Sequence, residues 1–387
     1  MNQEMTVVKK VAEQVNEAGG KMYFVGGFVR DRLIGKDSKD IDVEIHGINE
    51  EQLVSILSTH GGVDKVGESF GVYLIKGIDV DFALPRIERQ TGLLHTDFDV
   101  TIDPFIGTYG ASKRRDFTMN AIMEDVLTGE VVDHFGGQED IRQHVIRFVD
   151  KETFQEDALR VLRAIQFSAR FGFSIDKETR SVAGKMDLHH LAKERVYEEI
   201  RKGMTKGSPA VFVAQLKTFP NIVHLLTSLN QVDGGLVKSG RTFALNVGMM
   251  GSVVEEKDFN VLVTDFIQTK QERKTAQACR AFMKDMITNW VVPIQVEFLE
   301  LIAVHRAFIE KHPESNELVD LYLPKEHATL FHQAMVKKTD CSLQIDGNWL
   351  IERGVNPSPA FAEMLRQANV MAWNGESEET ILKSIMN

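Results

Sequence analysis

Up to about residue 150, short apolar runs are separated by turns that contain glycine, a pattern typical of strands mixed with short helices. Residues 21–25 form such a run and lead into Gly26 and Gly27, which predicts a buried strand entering a turn. Residues 28–34 then have helical spacing and stop at Gly35, a residue type that often ends helices. Residues 40–45 alternate polar and apolar side chains, as a half-buried strand does.

Residues 71–82 predict a hairpin of two short strands about a tight glycine turn. The period of two places Val72 and Leu74 on the apolar face of the first strand. On the second strand the same period places Ile78, Val80 and Phe82 together. We therefore expect a small sheet in this part of the chain.

After residue 150 the apolar positions recur every three to four residues, which indicates helices. The stretch 156–171 is the strongest case, because Leu159, Leu162, Ile165 and Phe167 are spaced for one buried stripe. Most later segments have the same pattern, so a helical region follows the mixed one. The breaks between these helices fall at residues 203–209, 234–240, 312–315 and 356–359.

The composition is that of a folded chain, with 43% apolar and 26% charged residues among 387. Two cysteines, Cys279 and Cys341, are too few for a disulfide framework, and reduced cysteines are usual in the cytoplasm. No window approaches 18 consecutive apolar residues, and the first residues lack a basic and then apolar signal region. We therefore expect a cytoplasmic protein, neither secreted nor membrane-spanning.

The net charge of -11 is concentrated in the first half of the chain. Residues 1–200 contain 25 Lys and Arg against 35 Asp and Glu, a balance of -10, which leaves -1 for the rest. Overall acidity weakens non-specific affinity for phosphate backbones, but it does not exclude a local basic face. Charge therefore leaves a nucleic-acid partner open.

The segment with the clearest chemistry begins at the two glycines. Gly26 and Gly27 lie between a strand and a helix, where backbone N–H groups can approach an anion closely. Arg30, one turn into that helix, can add a bidentate phosphate contact. Asp40 and Asp42 are two apart on a strand, so both carboxylates face the same side. Carboxylates beside a phosphate cradle are surroundings that Mg²⁺ prefers.

This combined motif resembles the class II nucleotidyltransferases of the polymerase-beta superfamily, namely tRNA CCA-adding enzymes and bacterial poly(A) polymerases. The resemblance implies transfer of a nucleoside monophosphate to an RNA 3′ hydroxyl. It implies that Asp40 and Asp42 are the catalytic carboxylates and the ligands of two Mg²⁺ ions. It also implies that Gly26, Gly27 and Arg30 contact the nucleotide triphosphate.

A second segment, residues 114–121, resembles the part of that family which holds the nucleotide ribose. Arg115 offers a cation for phosphate, while Asp116 and Asn120 offer an acceptor and an amide for a 2′-hydroxyl. An ordinary basic loop capped by Asp116 is the alternative interpretation.

A third segment, residues 156–160, resembles the nucleotide-selecting motif of the family. Asp157 and Arg160 are three apart, and on a helix they would be neighbours. An Asp–Arg pair complements the amino group and ring nitrogen that adenine and cytosine share, and it rejects guanine and uracil. Arg163 lies one turn on and would reach the phosphates, whereas Gln166 stands where relatives carry a further arginine. A surface ion pair is the alternative.

The resemblance implies an α+β fold, a small mixed-sheet nucleotidyltransferase head followed by an elongated all-α neck, body and tail. We expect the catalytic head at 1–145 and the nucleotide-selecting neck at 146–205. The body would cover 206–275 and the tRNA-binding tail 276–387. Candidate tRNA contacts, by charge alone, are Lys202, Lys206, Arg273, Lys274, Arg280, Lys337 and Lys338.

The predicted function is therefore addition of C, C and A to the tRNA 3′ end from CTP and ATP, without a nucleic-acid template. The polar segment between Arg86 and Lys113 matches the loop that relatives use to switch from cytosine to adenine, which favours full CCA addition. Asp81 is a candidate third carboxylate or a half-exposed strand acid. A poly(A) polymerase, a CC-only or A-only enzyme, and an inactive RNA-binding protein remain alternatives. Oligomeric state is not readable.

Overall fold

The computed structural model describes residues 2–38, 40–66, 71–90, 98–223, 242–267, 269–289, 345–373 and 376–386, with isolated residues between 305 and 332. The chain divides into two compact units, residues 1–240 and 241–387. Each unit is described by itself below. The boundaries expected for head, neck, body and tail remain a prediction.

A seven-stranded mixed sheet forms the centre of the first unit. Its strand order is β3-β4-β5-β2-β1-β8-β9, in which β2 and β5 are parallel and the other neighbours antiparallel. Two further pairs, β6 with β7 and β10 with β11, lie outside this sheet. The strands are β1 (Lys21–Val25), β2 (Ile41–His46), β3 (Val63–Val66), β4 (Val72–Ile75), β5 (Val80–Ala83), β6 (Arg86–Gln90), β7 (Phe98–Ile102), β8 (Met123–Asp125), β9 (Val131–Val132), β10 (Val145–Ile146) and β11 (Ser174–Ile175).

A longer helix, α1 (Asn2–Glu17), precedes the first strand, and short helices connect the strands. The connecting helices are α2 (Gly27–Leu33), α3 (Glu50–Ser58), α4 (Gly107–Lys113) and α5 (Gly137–Arg142), with a 3₁₀ turn at Thr118–Asn120. Helix α2 follows β1 directly, so the predicted order of strand, glycine turn and helix is confirmed. Strand β2 and the hairpin of β4 and β5 also lie where the sequence pattern predicts them.

The buried face of β4 differs from the prediction. Tyr73 and Ile75 are each 1% exposed, whereas Val72 and Leu74 are half-buried. Tyr73 lies opposite Phe82 of β5, and helix α3 packs against β4. The larger aromatic side chain therefore takes the face covered by the helix, where it removes more apolar surface from water.

Helices dominate the rest of the first unit. They are α6 (Lys151–Gln155), α7 (Leu159–Phe171), α8 (Lys177–Ala183), α9 (Lys193–Thr205), α10 (Pro209–Leu216) and α11 (Pro220–Val223). The predicted helix at 156–171 begins three residues later than expected, at Leu159. Asp157 accepts a hydrogen bond from the backbone N–H of Leu159, so it stands before the helix rather than on its face.

The second unit is helical wherever it is described in continuous stretches. Its helices are α12 (Phe243–Ser252), α13 (Glu256–Phe266), α14 (Lys270–Asn289), α15 (Gly347–Glu352), α16 (Phe361–Trp373) and α17 (Glu378–Met386). Helices α12 and α14 pack so closely that a Cβ at Gly248 would lie 2.5 Å from Cβ of Cys279. Cys279 is buried, with its Sγ 3.6 Å from the carbonyl oxygen of Leu245, and Cys341 lies outside the described residues. A mixed-sheet head with a mostly helical remainder confirms the predicted fold class.

In the described part of the chain, every helix is too short or too polar to cross a membrane.

Candidate active site

Three carboxylates gather where strands β2 and β5 run side by side. Asp42 of β2 lies directly opposite Asp81 of β5, and Asp40 immediately precedes β2. Burial raises the pKa of Asp42, and the charges of Asp81 and Asp40 raise it further against the opposing effect of Arg115. Burial also raises the pKa of Asp81, with Asp79 and Asp40 adding to the effect. The site therefore carries negative charge that the protein leaves partly uncompensated.

This arrangement suits a cation that is shared with a substrate. Within the described residues, no three His, Cys, Asp or Glu side chains lie close enough to hold a metal ion by themselves. Mg²⁺ usually binds one or two carboxylates and completes its coordination with water and substrate phosphates. Asp40 and Asp42 supply the carboxylates for such a site, and their mutual repulsion favours a bound cation.

The glycine turn lies directly against this carboxylate group. Gly26 has a φ of 63°, which favours glycine, and it precedes the first residue of α2. A Cβ at Gly26 would lie 3.3 Å from Nη1 of Arg115 and 3.8 Å from Oδ2 of Asp42. The structure thus brings together the turn, one predicted metal-site carboxylate and a predicted phosphate-binding arginine. Any larger residue at Gly26 would enter the space between them.

Glu44, which the sequence interpretation missed, anchors this arginine. Its side chain is 1% exposed, and its Oε2 lies 3.1 Å from Nη2 of Arg115 and 3.2 Å from Nη2 of Arg114. Its Oε1 lies 3.0 Å from Nε2 of His46. Burial would raise the pKa of Glu44, but the hydrogen bond from His46 and the two guanidinium groups lower it to about 2. The sequence contained a signal for Glu44, because Asp40, Asp42 and Glu44 are spaced two residues apart, as side chains on one face of a strand are.

Arg30 is buried rather than facing an open cleft. Its side chain is 6% exposed and pairs with Asp31 at 2.7 Å, while its Nη1 donates to Oδ1 of Asn120 at 2.7 Å. The guanidinium carbon lies 5.2 Å and 4.8 Å from the ring centres of Phe167 and Phe171. Burial lowers the pKa of Arg30, although Asp31 opposes the shift. Arg30 therefore joins α2 to α7, and its contact with a triphosphate stays a prediction.

Asp116 and Asn120, which are predicted to hold the ribose, form one hydrogen-bonded network with Arg163 of helix α7. Nδ2 of Asn120 donates to Oδ1 of Asp116 at 2.9 Å, and Nε of Arg163 donates to Oδ2 of Asp116 at 2.7 Å. Asp116 is buried, which would raise its pKa, but Arg163 and Asn120 together lower it. Arg163 is thus occupied by Asp116, and a phosphate contact of Arg163 also stays a prediction. Gln166 is buried on the same helix.

Asp157 and Arg160 each have another partner in the structure. Oδ2 of Asp157 accepts from Nη2 of Arg195 in α9 at 2.8 Å. The guanidinium of Arg160 donates to the carbonyl oxygens of Thr153 and Arg114, at 2.7 Å and 2.8 Å. Both side chains are therefore fixed independently, and Arg160 touches the segment that carries Arg115. Their role in base selection stays a prediction.

Several other expectations fall outside what the structure describes. They are the centre of the predicted switching loop, residues 91–97, and two candidate tRNA contacts, Lys337 and Lys338. Among the tRNA candidates that are described, Arg280 is buried and donates to the carbonyl of Gly251 at 2.9 Å. Its charge is therefore turned into the second unit rather than presented to a partner.

A family model matches residues 22–147, and its description is the poly A polymerase head domain. Residues 22–147 are therefore similar to poly A polymerase head domains. The resemblance that the sequence motifs suggested is thereby confirmed for this domain, which contains the carboxylates, the glycine turn and Arg115.

Two curated proteins that are similar to this chain have the same name. The multifunctional CCA protein of Xylella fastidiosa (strain M23) is 38% identical over 221 residues, which cover 55% of this chain and 52% of that protein. The protein of the same name from Stenotrophomonas maltophilia (strain K279a) is 38% identical over 221 residues, covering 55% and 53%. The chain spans about half the length of the curated relatives that it matches.

Solved structures extend the likeness to the whole chain. The Bacillus stearothermophilus CCA-adding enzyme in complex with CTP has a TM-score of 0.64 at 22% identity, covering 100% of this chain and 98% of that one. The Thermotoga maritima CCA-adding enzyme complexed with tRNA has a TM-score of 0.61 at 21% identity, covering 100% and 94%. At this level of identity the comparison shows a shared fold, and the helical region beyond the head domain is part of it.

Proposed function

We propose that this protein is a tRNA nucleotidyltransferase that adds C, C and A to the tRNA 3′ end from CTP and ATP, without a nucleic-acid template. The observation that carries the proposal is the grouping of Asp42, Asp81, the Gly26 turn and Arg115 within a poly A polymerase head domain. This grouping provides carboxylates for a cation beside donors for a triphosphate.

Two features of the chain would bind the nucleotide. Nη1 of Arg115 lies 3.3 Å from the position that a Cβ of Gly26 would occupy, so this guanidinium and the N–H groups of the glycine turn would together donate hydrogen bonds to a triphosphate. The neighbouring pair of Asp116 and Asn120 would hold the ribose and favour one sugar orientation. Holding the α-phosphate in line with an attacking hydroxyl contributes a large part of such catalysis.

Asp40 and Asp42 would hold Mg²⁺, with Asp81 adding negative charge beside them. When bound, Mg²⁺ supplies activation of the RNA 3′ hydroxyl and neutralisation of the departing pyrophosphate. The protein itself contributes the fixed positions of these carboxylates, since the parallel pairing of β2 and β5 sets the spacing of Asp42 and Asp81. Two Mg²⁺ ions, rather than one, would bind at these carboxylates.

Asp157 and Arg160 would select the base. Asp157 would accept a hydrogen bond from the amino group of cytosine or adenine, and Arg160 would donate to the ring nitrogen beside it. Guanine and uracil present the opposite pattern, so each wrong base would lose contacts worth roughly 1–3 kcal/mol apiece. Because Arg195 and two backbone carbonyls hold this pair, its geometry would be set before the nucleotide arrives.

The relatives support the same substrates. Curated proteins similar over about half of the chain are called multifunctional CCA proteins, and CCA-adding enzymes of the same fold were solved with tRNA, ATP and CTP. The helical region after the head would hold the acceptor arm through its backbone and 2′-hydroxyls, reading shape more than sequence.

The test is incorporation of each labelled NTP, singly and in pairs, into tRNA transcripts that end before CCA, after C and after CC. Mg²⁺ is present, and the products are resolved at single-nucleotide length. We expect growth that stops after C-C-A, with GTP and UTP inert.

Other outcomes would reject the proposal in distinguishable ways. Continued addition of adenine would show a poly(A) polymerase, the activity for which the head-domain family is named. A stop at CC, or activity on CC ends alone, would show an enzyme that performs part of the reaction. No incorporation of any nucleotide would show an RNA-binding protein with an inactive head.

A further inference from the structure

Glu44 is a buried carboxylate for which the proposed reaction has no use. It lies two residues after Asp42 on β2, and its side chain is 1% exposed. A buried charge is costly unless hydrogen bonds compensate it, so its partners show what it stabilises. Those partners are two guanidinium groups and one imidazole, and both oxygens of Glu44 are engaged.

Arg115 has two carboxylates within reach and bonds to one of them. Its Nη2 donates to Glu44 at 3.1 Å, and among the described residues no hydrogen bond joins it to Asp42. Asp42 nevertheless feels the charge of Arg115, which lowers its pKa against the larger effect of burial. The Arg115 guanidinium therefore stands beside Asp42 without closing an ion pair on it.

This geometry leaves the outer end of Arg115 directed at the glycine turn. Nη1 lies 3.3 Å from the position that a Cβ of Gly26 would occupy, and it has no hydrogen-bond partner among the described residues. Without Glu44, Asp42 would be a neighbouring carboxylate to which this guanidinium could turn, since its Oδ2 lies 3.8 Å from the same Cβ position. An ion pair between Arg115 and Asp42 would move the guanidinium away from the glycine turn. It would also occupy a carboxylate that is proposed to bind a cation.

We propose that Glu44 is a positioning residue, which holds Arg115 away from Asp42 and aims its guanidinium at the triphosphate of a bound nucleotide. The inference rests on the proposed function only in taking a nucleoside triphosphate as the ligand.

The proposal requires that loss of Glu44 weakens triphosphate binding specifically. Binding of ATP and of AMP is measured by titration calorimetry, without tRNA, for the wild-type full chain and for Glu44→Gln. In Glu44→Gln, Arg115 loses its charged partner and with it the orientation toward the triphosphate. The hydrogen bond between Arg115 and the triphosphate is then lost, so we expect ATP affinity to fall about tenfold or more. AMP lacks the β- and γ-phosphates, and its affinity should change by less than about twofold.

A double-mutant cycle identifies Arg115 as the group through which Glu44 acts. In an Arg115→Met background, Glu44→Gln should have almost no further effect on ATP affinity. Glu124→Gln is the matched control, because Glu124 is also a strand glutamate bonded to an arginine, Arg32, at 2.9 Å. It should leave both affinities unchanged. Glu44→Asp, which keeps the charge but withdraws it by one methylene, should be intermediate and serves if Glu44→Gln does not fold.

Three results would overturn the inference. Equal losses of ATP and AMP affinity would indicate a general structural role for Glu44. A full effect of Glu44→Gln in the Arg115→Met background would show that Glu44 acts elsewhere. A wild-type protein that binds ATP no better than AMP would have no triphosphate contact to position. Failure of the tRNA assay with intact ATP binding would reject the proposed function alone.

Discussion

At the scale of single residues, the polar positions of strand β2 carry most of the candidate chemistry. Asp42 is half-buried among like charges, whereas Glu44, one period further, is fully buried among cations. Two carboxylates on the same strand face thus have pKa values shifted in opposite directions, raised at Asp42 and lowered at Glu44. The difference comes from the arginines that follow α4, which reach Glu44 and stop short of Asp42.

Asp40→Ala should abolish nucleotide incorporation. Removing one of two proposed metal carboxylates would lower the rate at least about a thousandfold, roughly 4 kcal/mol of transition-state stabilisation. The measurement is single-turnover incorporation of CTP into a tRNA transcript lacking CCA. Asp37→Ala, an exposed carboxylate in the same connection, is the control and should retain full activity. Residual activity near that of the wild type in Asp40→Ala would reject the assignment of Asp40.

Asp116→Asn should destabilise the protein at neutral pH, by about 2 kcal/mol, because Arg163 and Asn120 lose their charged partner. The pKa of Asp116 is lowered from its ordinary value of 3.8, so its ionised form contributes stability above that value. This contribution is lost as the pH falls through the folded-state pKa, which lies below 3.8.

Urea unfolding of both proteins between pH 7 and pH 3 tests this linkage. The difference in unfolding free energy should stay constant from pH 7 to pH 5 and narrow only below the ordinary pKa of 3.8. A difference that narrows already near pH 6 would assign the effect to another titrating group.

At the scale of elements, the start of α7 decides where the proposed base-selecting residues stand. Asp157 lies before the helix, and Arg195 of α9 holds it from a distance of 38 residues along the chain. The helical spacing of three residues was therefore the wrong argument for bringing Asp157 and Arg160 together. Packing of α9 against α7 supplies the constraint instead.

Arg195→Met should reduce discrimination among nucleotides more than it reduces stability. With Asp157 released, the preference for ATP and CTP over GTP and UTP should fall about tenfold, the lower end of the cost of one wrong base contact. The measurement is kcat/KM for each NTP on the appropriate tRNA end. Arg201→Met, on the same helix but bonded to Tyr197, is the matched control and should keep the wild-type preference. Equal selectivity in both variants would contradict a selecting role for Asp157.

At the scale of the whole molecule, the two compact units have separate interiors. The first contains the sheet, the head-domain match and every candidate site residue up to Arg163. The second includes a helix pair, α12 with α14, and a carboxy-terminal cluster around Leu350, Ala368 and Ile381. Each unit buries its own apolar side chains, which is the condition for folding as a separate domain.

A fragment of residues 1–240 should therefore fold alone and bind ATP with the affinity of the full chain. We expect one cooperative urea transition by near-ultraviolet circular dichroism, and a calorimetric ATP affinity within about twofold of that of the full chain. Its affinity for tRNA should fall, because the proposed acceptor-arm contacts lie largely in the removed helices. A fragment without near-ultraviolet signal would show that the first unit depends on the second.

The sequence by itself determined the local order of elements and the residue types of the site. Periods of two and of three to four, interrupted by glycine, identified β1, α2, β2 and the β4–β5 hairpin, because such patterns depend on near neighbours. The acidic pair Asp40 and Asp42 and its glycine turn were found in the same way.

Tertiary structure decided which partner each of these groups has. The pairing of β2 with β5 set Asp81 opposite Asp42, and the approach of α7 buried Arg30 against two phenylalanines. Helix α3, which packs against β4, determined which face of that strand is buried. These outcomes depend on residues far apart in the chain, and local periodicity contains no information about such contacts.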